Sequence, residues 1–267
     1  QITETLNLPV GLVINSWGGS RIESWMTEET LSSIQGIDIE TAKSSKLDVR
    51  NRLGCLYDIM LWPVKNYTAR GFLWYQGESN IFNYQFYAPM MTAMVQLWRN
   101  VWEAPDMPFY YVQIAPYKYE NSRNTGAALL REAQVEALKT IPNSGIVPTT
   151  DIGDEFCIHP PQKDVVGLRL ATLALTKTYG IRRLPSNGPM MTKVDYADKK
   201  AIVTFDNAPA GLFPTFSELE GFEIAGADKK FYPAKAKIVG RTNTVAVSYT
   251  HLRAHETKAN IVCRLLL

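Results

Sequence analysis

The chain has 267 residues, 46% hydrophobic and 20% charged, enough to bury one sizeable core and a small second one, which excludes a disordered polypeptide. A formal net charge of +2 with no long run of Lys or Arg excludes the electrostatic footprint of a nucleic-acid binder and points to a small or neutral ligand. No stretch approaches the roughly 18 apolar residues of a membrane helix.

Short apolar runs rich in Val, Ile and aromatics fall at Pro9–Asn15, Gly71–Tyr75, Phe109–Ile114 and Gly145–Thr149, and each reads as a strand. Helical patterns lie between them. From about Asn83 to Trp102, Met91, Met94, Val95 and Trp98 recur at i, i+3, i+4 and i+7, and from Ala127 to about Thr140, Leu130, Ala133, Ala137 and Leu138 share a face. A third helix opens near Pro160-Pro161 and stops at Gly180. Strand–helix alternation of this kind predicts an α/β fold with a parallel sheet.

After about Pro185 the helical period fades. Alternating runs such as Ala201–Phe205, Phe222–Ala225 and Ala236–Val239, broken by turn residues, read as a small β appendage. From Tyr249 the string Thr250-His251-Leu252-Arg253-Ala254-His255-Glu256-Thr257 continues neither pattern and resembles translated sequencing-adapter read-through. The expected organisation is a core over 1–185, an incomplete β appendage over 186–248 and a non-native tail over 249–267. Cys55, Cys157 and Cys263 are odd in number and outside any CxxC spacing, which argues against a zinc site and a disulfide framework.

Three polar clusters each follow a predicted strand, where ligand sites of open α/β sheets lie. In Asn15-Ser16-Trp17-Gly18-Gly19-Ser20 the glycine pair lets backbone amides approach a ligand and stabilise an oxyanion, although a plain tight turn fits the same residues. In Trp74-Tyr75-Gln76-Gly77-Glu78-Ser79-Asn80, Asn80 is positioned to present its amide to developing negative charge, or else the run is a capped turn. Glu78 lacks the second carboxylate a glycosidase needs, and Ser79 sits outside a G-x-S-x-G elbow. The third cluster runs from Asp151 through Asp154 to His159 and Lys163. With the tail set aside His159 is the single histidine, an imidazole of suitable basicity to deprotonate a serine near neutral pH.

Together these motifs resemble the sialate O-acetylesterase family. The resemblance spans about Leu8 to Ser248 and includes the Trp-Gly-Gly-Ser turn, the seven-residue run at 74–80, Trp98-Arg99, Pro108-Phe109-Tyr110, Arg131-Glu132-Ala133-Gln134, Ile158-His159-Pro160 with Lys163, and Gly221 to Gly226. It implies a flavodoxin-like SGNH-hydrolase three-layer α/β sandwich with a small C-terminal β region. It also implies hydrolysis of acetyl esters on sugar hydroxyls through a serine-bound acetyl group, with no cofactor and no metal.

By that resemblance His159 is the general base, Asn80 and the Gly18–Gly19 amides are the oxyanion donors, and Gln76, Glu78 and Trp17 shape or border the substrate site. Asp154, with Asp151 or a backbone carbonyl as the other possibilities, is expected to orient His159, because Phe156 occupies the position three before the histidine where many SGNH enzymes carry Asp. The family's nucleophile belongs to a Gly-Gln-Ser-Asn block upstream of the glycine turn. No such block occurs in residues 1–267, so the chain reads as cut off at its amino end and inactive as it stands. The partner is an acetylated carbohydrate, with neither nucleic acid nor membrane insertion, and the resemblance places the protein outside the cell or in the periplasm. A carbohydrate-binding protein without catalysis is the competing reading, since six Trp and thirteen Tyr offer sugar-stacking surface.

Overall fold

The computed structural model describes residues 1–119, 125–182, 184, 186–197, 200–225, 230–248 and 262–265. Two compact units divide the chain, Gln1–Ser186 and Asn187–Leu267. The first carries short helices α1 (Ile2–Leu6), α2 (Glu28–Ser32) and α3 (Ile39–Lys43), followed by β1 (Phe72–Trp74), α4 (Tyr87–Val101), β2 (Phe109–Val112), α5 (Gly126–Thr140), β3 (Ser144–Val147) and α6 (Lys163–Lys177). The sheet is parallel throughout, in the order β1-β2-β3, with Phe72 opposite Phe109 and Phe109 opposite Ser144.

All four residues of β2 are buried, as a central parallel strand covered on both faces requires. The two-residue period divides them. Phe109 and Tyr111 pack into one core with Met90, Met91, Met94, Val95 and Trp98 of α4 and Leu130 and Ala137 of α5. Tyr110 and Val112 join Val147 and the α6 residues Val166, Leu173 and Ala174 on the other face. Helices, sheet and helix therefore form three layers, the α/β sandwich expected from the sequence. Within the first core Trp25, Trp74 and Trp98 meet edge-on, with ring centroids 5.7 Å apart for Trp25–Trp74 and 5.4 Å for Trp74–Trp98.

The predicted strand at 9–15 does not form. Residues 8–17 have no regular structure, and Leu12, Val13 and Ile14 are 76%, 59% and 79% exposed. Apolar alternation marks a segment that gains from pairing, but a strand exists only where a neighbour completes its ladder. The ladder of β1 runs to β2, and no described segment pairs with residues 9–15. The predicted helix from Asn83 is also shortened: Glu78–Phe86 is a 3₁₀ segment with a kink at Asn83, and α4 starts at Tyr87. Helix α6 begins at Lys163, two residues beyond the proline pair, with Gln162 as its N-cap.

The regular elements described in the second unit are all strands. Strands β4 (Met190–Ala197), β5 (Lys200–Asp206), β9 (Thr244–Ser248) and β8 (Lys235–Ile238) form an antiparallel sheet in that order, and β6 (Phe222–Ala225) lies between β7 (Phe231–Pro233) and β10 (Val262–Leu265). Ala201, Val203, Phe205, Phe222, Ile224, Ala236, Ile238, Val245 and Val247 form its core. The three alternating runs named from the sequence all fall in strands of this unit. Apart from the backbone of Val262–Leu265, the suspected tail lies outside the described residues, as does Gly226.

Candidate active site

The loop after β1 carries the cluster at 74–80 and the loop after β3 the cluster at 151–163, whereas the cluster at 15–20 follows the irregular segment 8–17. The loop after β1 is held by a glycine that nothing else can replace. Gly77 has φ 153°, and a Cβ there would lie 2.7 Å from both Ile114 and Leu130. Behind it Gln134, fully buried on α5, accepts from the Ile114 amide at 3.0 Å and donates to the Gln76 and Val112 carbonyls at 3.3 and 3.2 Å. One side chain thus anchors α5 to the ends of β1 and β2.

Asn80 is the side chain expected to donate to an oxyanion. It is completely buried, and both of its N–H groups are spent inside the fold, on Glu23 Oε2 at 2.8 Å and Asn83 Oδ1 at 3.2 Å. Its oxygen accepts from the Ile22 amide at 3.0 Å and from Gln76 Nε2 at 2.7 Å. A buried amide satisfies its full set of partners where it stands, and in this structure those bonds tie the loop after β1 to Ile22 and Glu23. Gln76 is likewise committed. Its Nε2 donates to the Ser20 carbonyl at 2.9 Å as well as to Asn80, and its Oε1 accepts from the Tyr87 hydroxyl at 2.9 Å. It lies buried beside the Ser20 carbonyl of the glycine turn.

The central residue of this network is one the sequence did not single out. Glu23, only 5% exposed, accepts from Asn80 and from Asn83 Nδ2, each at 2.8 Å. A carboxylate between Ile22 and Trp25, in a segment whose four residues are all buried, was the available signal. The burial of its charge is offset by two amide donors on one carboxylate.

Above this network lies the glycine turn. Gly19 has φ 74°, a conformation favourable only to glycine. Ser20 N donates to the Trp17 carbonyl at 3.3 Å, Ser79 Oγ to the Gly19 carbonyl at 3.0 Å and Arg50 Nη1 to the Gly18 carbonyl at 3.0 Å. The amides of Gly18 and Gly19 make no hydrogen bond to a described residue. Trp17 borders the turn, 42% exposed.

His159 lies exposed on the loop after β3, and its imidazole makes no hydrogen bond to a described residue. Neither expected aspartate is bonded to it. Asp151 is paired with Arg169, whose guanidinium holds its carboxyl below the usual range. Asp154 Oδ1 accepts from the Phe156 amide at 2.7 Å and so closes the turn in which Asp154 and Cys157 bridge. The carboxylate that feels His159 is Glu78. Burial pushes it above the ordinary range, and its own backbone N–H, His159 and Lys163 pull it part of the way back. Lys163 Nζ stands 4.8 Å from the Tyr75 ring, and the buried Tyr75 and Tyr119 hydroxyls have no partner among the described residues. Burial first, and then Glu78, raise the Tyr75 phenol to about 12.

The loops are tied to one another. Lys118 N donates to the Glu155 carbonyl at 2.9 Å, Thr149 Oγ1 to the Gln113 carbonyl at 2.8 Å, and Gly153 lies where a Cβ would come within 2.4 Å of Pro116. The Ser79 hydroxyl ties the glycine turn to the loop after β1, whose Glu78 carboxyl is lowered in part by His159. Among the described residues there is no group of three or more His, Cys, Asp or Glu able to hold a metal, Cys55 and Cys157 are free, and no helix is long and apolar enough to cross a membrane.

Residues 2–176 match the family described as carbohydrate esterase, sialic acid-specific acetylesterase. The sialate O-acetylesterase of Mus musculus is 27% identical over 235 residues, covering 72% of this chain and 43% of that protein. The Homo sapiens enzyme is 27% identical over 217 residues, covering 75% and 42%. The chain thus spans less than half the length of these relatives. Among solved structures, a carbohydrate acetylesterase from Xanthomonas citri superposes with a TM-score of 0.83 at 31% identity, covering 98% of this chain and 60% of that one. With the glycine turn, the Trp74–Asn80 run and the histidine loop set on an SGNH-type α/β sandwich, the chain belongs to the sialic acid-specific acetylesterase family of carbohydrate esterases.

Proposed function

We propose that the protein is a carbohydrate O-acetylesterase that removes acetyl groups from sugar hydroxyls of sialic acids or plant polysaccharides, acting outside the cell or in the periplasm. The observation that carries this reading is the presence of two unengaged backbone amides, at Gly18 and Gly19, and an unengaged imidazole, at His159, on loops that flank Ser79 and Glu78: Ser79 bonds the glycine turn and Glu78 feels the charge of His159. His159 takes the proton of the attacking hydroxyl and returns it to the departing sugar oxygen. The Gly18 and Gly19 amides receive the negative charge that develops on the acetyl oxygen.

Glu78 is the carboxylate proposed to steady the imidazolium, in preference to Asp154, whose carboxylate caps its own turn. Trp17 is proposed to border the sugar. Two of the serines near the turn are engaged: Ser20 is 5% exposed and its hydroxyl accepts from Trp25 Nε1 at 3.0 Å, and the Ser79 hydroxyl donates to Gly19; Ser16 is exposed beside the turn. The nucleophile is assigned, by the resemblance, to the Gly-Gln-Ser-Asn block of the family pattern.

The test is hydrolysis of p-nitrophenyl acetate by this chain and by a form extended with its upstream segment. Activity confined to the extended form supports the proposal. Equal, His159-dependent activity in both moves the nucleophile into residues 1–267. Binding of acetylated sugar without turnover in either form establishes a carbohydrate-binding protein instead.

A further inference from the structure

We propose that Arg50 is a positioning residue that fixes and polarises the Gly18–Gly19 peptide, making the Gly19 amide the stronger oxyanion donor; this rests on the acetylesterase reading above. Three successive carbonyls of the turn each receive a side chain, one from Arg50 and two from the 74–80 run. Arg50 Nη1 donates to Gly18 at 3.0 Å, Ser79 Oγ to Gly19 at 3.0 Å and Gln76 Nε2 to Ser20 at 2.9 Å. With all three carbonyls held, the turn cannot rotate its peptide planes without breaking a bond.

Arg50 is the one charged donor of the three. The Gly18 carbonyl and the Gly19 N–H belong to one peptide unit, so a guanidinium that draws electron density onto that oxygen leaves the N–H more acidic. Hydrogen bonds arranged in series strengthen one another in this way. The Gly19 N–H makes no other hydrogen bond to a described residue, so its gain in donor strength is available to a ligand.

Arg50 is itself held in place. Its Nη2 lies 3.1 Å from Asp48 Oδ2, and Asp48 Oδ1 accepts from the Arg50 amide at 3.0 Å. The neighbouring Asn51 Oδ1 accepts from the Arg21 amide at 3.0 Å, on the far side of the glycine turn. The 3₁₀ segment Val49–Asn51 thus grips the turn at two points. A lysine reaches the Gly18 carbonyl with a single ammonium and cannot satisfy Asp48 in the same fork.

In the full-length protein, Arg50→Met is expected to lower kcat on p-nitrophenyl acetate roughly 10-fold, less than the loss of an oxyanion donor itself, with KM within about 2-fold because the interaction strengthens only in the transition state. Arg50→Lys falls between wild type and Arg50→Met, and added guanidinium restores part of the kcat of Arg50→Met. In protein labelled with ¹⁵N-glycine, the Gly19 amide proton of Arg50→Met moves upfield. An unchanged kcat together with an unmoved Gly19 resonance overturns the proposal. So does a fall in kcat that guanidinium does not restore. Should Arg50→Met fail to fold, Arg50→Lys carries both readouts, and wild-type values for both overturn it. If the wild-type protein hydrolyses no acetate ester, the acetylesterase reading fails, and the Gly19 resonance alone decides whether Arg50 polarises the turn.

Discussion

The two flanks of the candidate site are built on opposite plans. On the glycine flank, Glu23, Gln76, Asn80, Asn83 and Tyr87 satisfy one another beneath the turn, and three side chains hold its carbonyls. On the histidine flank the imidazole is exposed and joined to no described residue by a hydrogen bond, although the backbone of its loop is tied to the loop after β2. The difference separates two tasks. Under the proposed roles, amides that meet a developing charge at fixed geometry gain from being locked before the reaction, whereas the base stays accessible to the oxygens between which it carries the proton.

The contrast would be broken first by His159→Ala. In the full-length enzyme this change should lower kcat on p-nitrophenyl acetate by about 100- to 10,000-fold while leaving the melting temperature nearly unaltered. A variant that loses stability in step with activity would place His159 among the structural ties.

Glu23→Ala tests the other flank and should behave in the opposite sense. It strands the Asn80 and Asn83 amides in a buried site and should cost about 3 kcal/mol in urea unfolding. A loss below about 1 kcal/mol would mean that water reaches the network.

Ser20→Ala removes the acceptor of the Trp25 indole N–H and should cost about 1 kcal/mol of stability, with kcat unchanged. A collapse of kcat would instead make Ser20 a nucleophile.

The smallest effect concerns pH. The Glu78 carboxyl is raised in the folded state relative to its ordinary value of 4.5, so the folded protein holds that proton more tightly than the unfolded chain. Stability is fully present below the ordinary range, falls as pH rises through the folded value, and stays reduced above it. Glu78→Gln should therefore be the more stable protein at neutral pH, an advantage that vanishes below about pH 4. Unfolding curves for both proteins across that range would show the two lines converging on the acid side.

What could be read in the sequence follows from the range over which each signal acts. The repeat of Met91, Met94, Val95 and Trp98 is local, and α4 buries those residues on the sheet. Strands β1 and β2 lie inside the predicted apolar runs, and β3 overlaps its run but starts one residue earlier, at Ser144. Pro9–Asn15 carries the same local signal and forms no strand, because pairing is decided by a neighbour that a single segment does not specify. The clusters at 15–20, 74–80 and 151–163 were legible as clusters, but the assignment within them was not. Asn80 and Gln76 have the donors an oxyanion site needs, and only the three-dimensional arrangement shows those donors spent on Glu23, Asn83 and Ser20. Arg50 lies some thirty residues from the turn it grips, in a stretch with no period or motif, and nothing in its surroundings advertises the contact.

The edge-on packing of Trp25, Trp74 and Trp98 also bears on how the molecule can be observed. All six tryptophans, at 17, 25, 62, 74, 98 and 102, precede the β unit. Indole emission and the near-ultraviolet dichroism of the coupled trio therefore register events in the α/β unit alone. A denaturation curve followed by tryptophan light will pass over the melting of residues 187–267 in silence, and a second transition seen by far-ultraviolet dichroism or calorimetry would belong to the β unit.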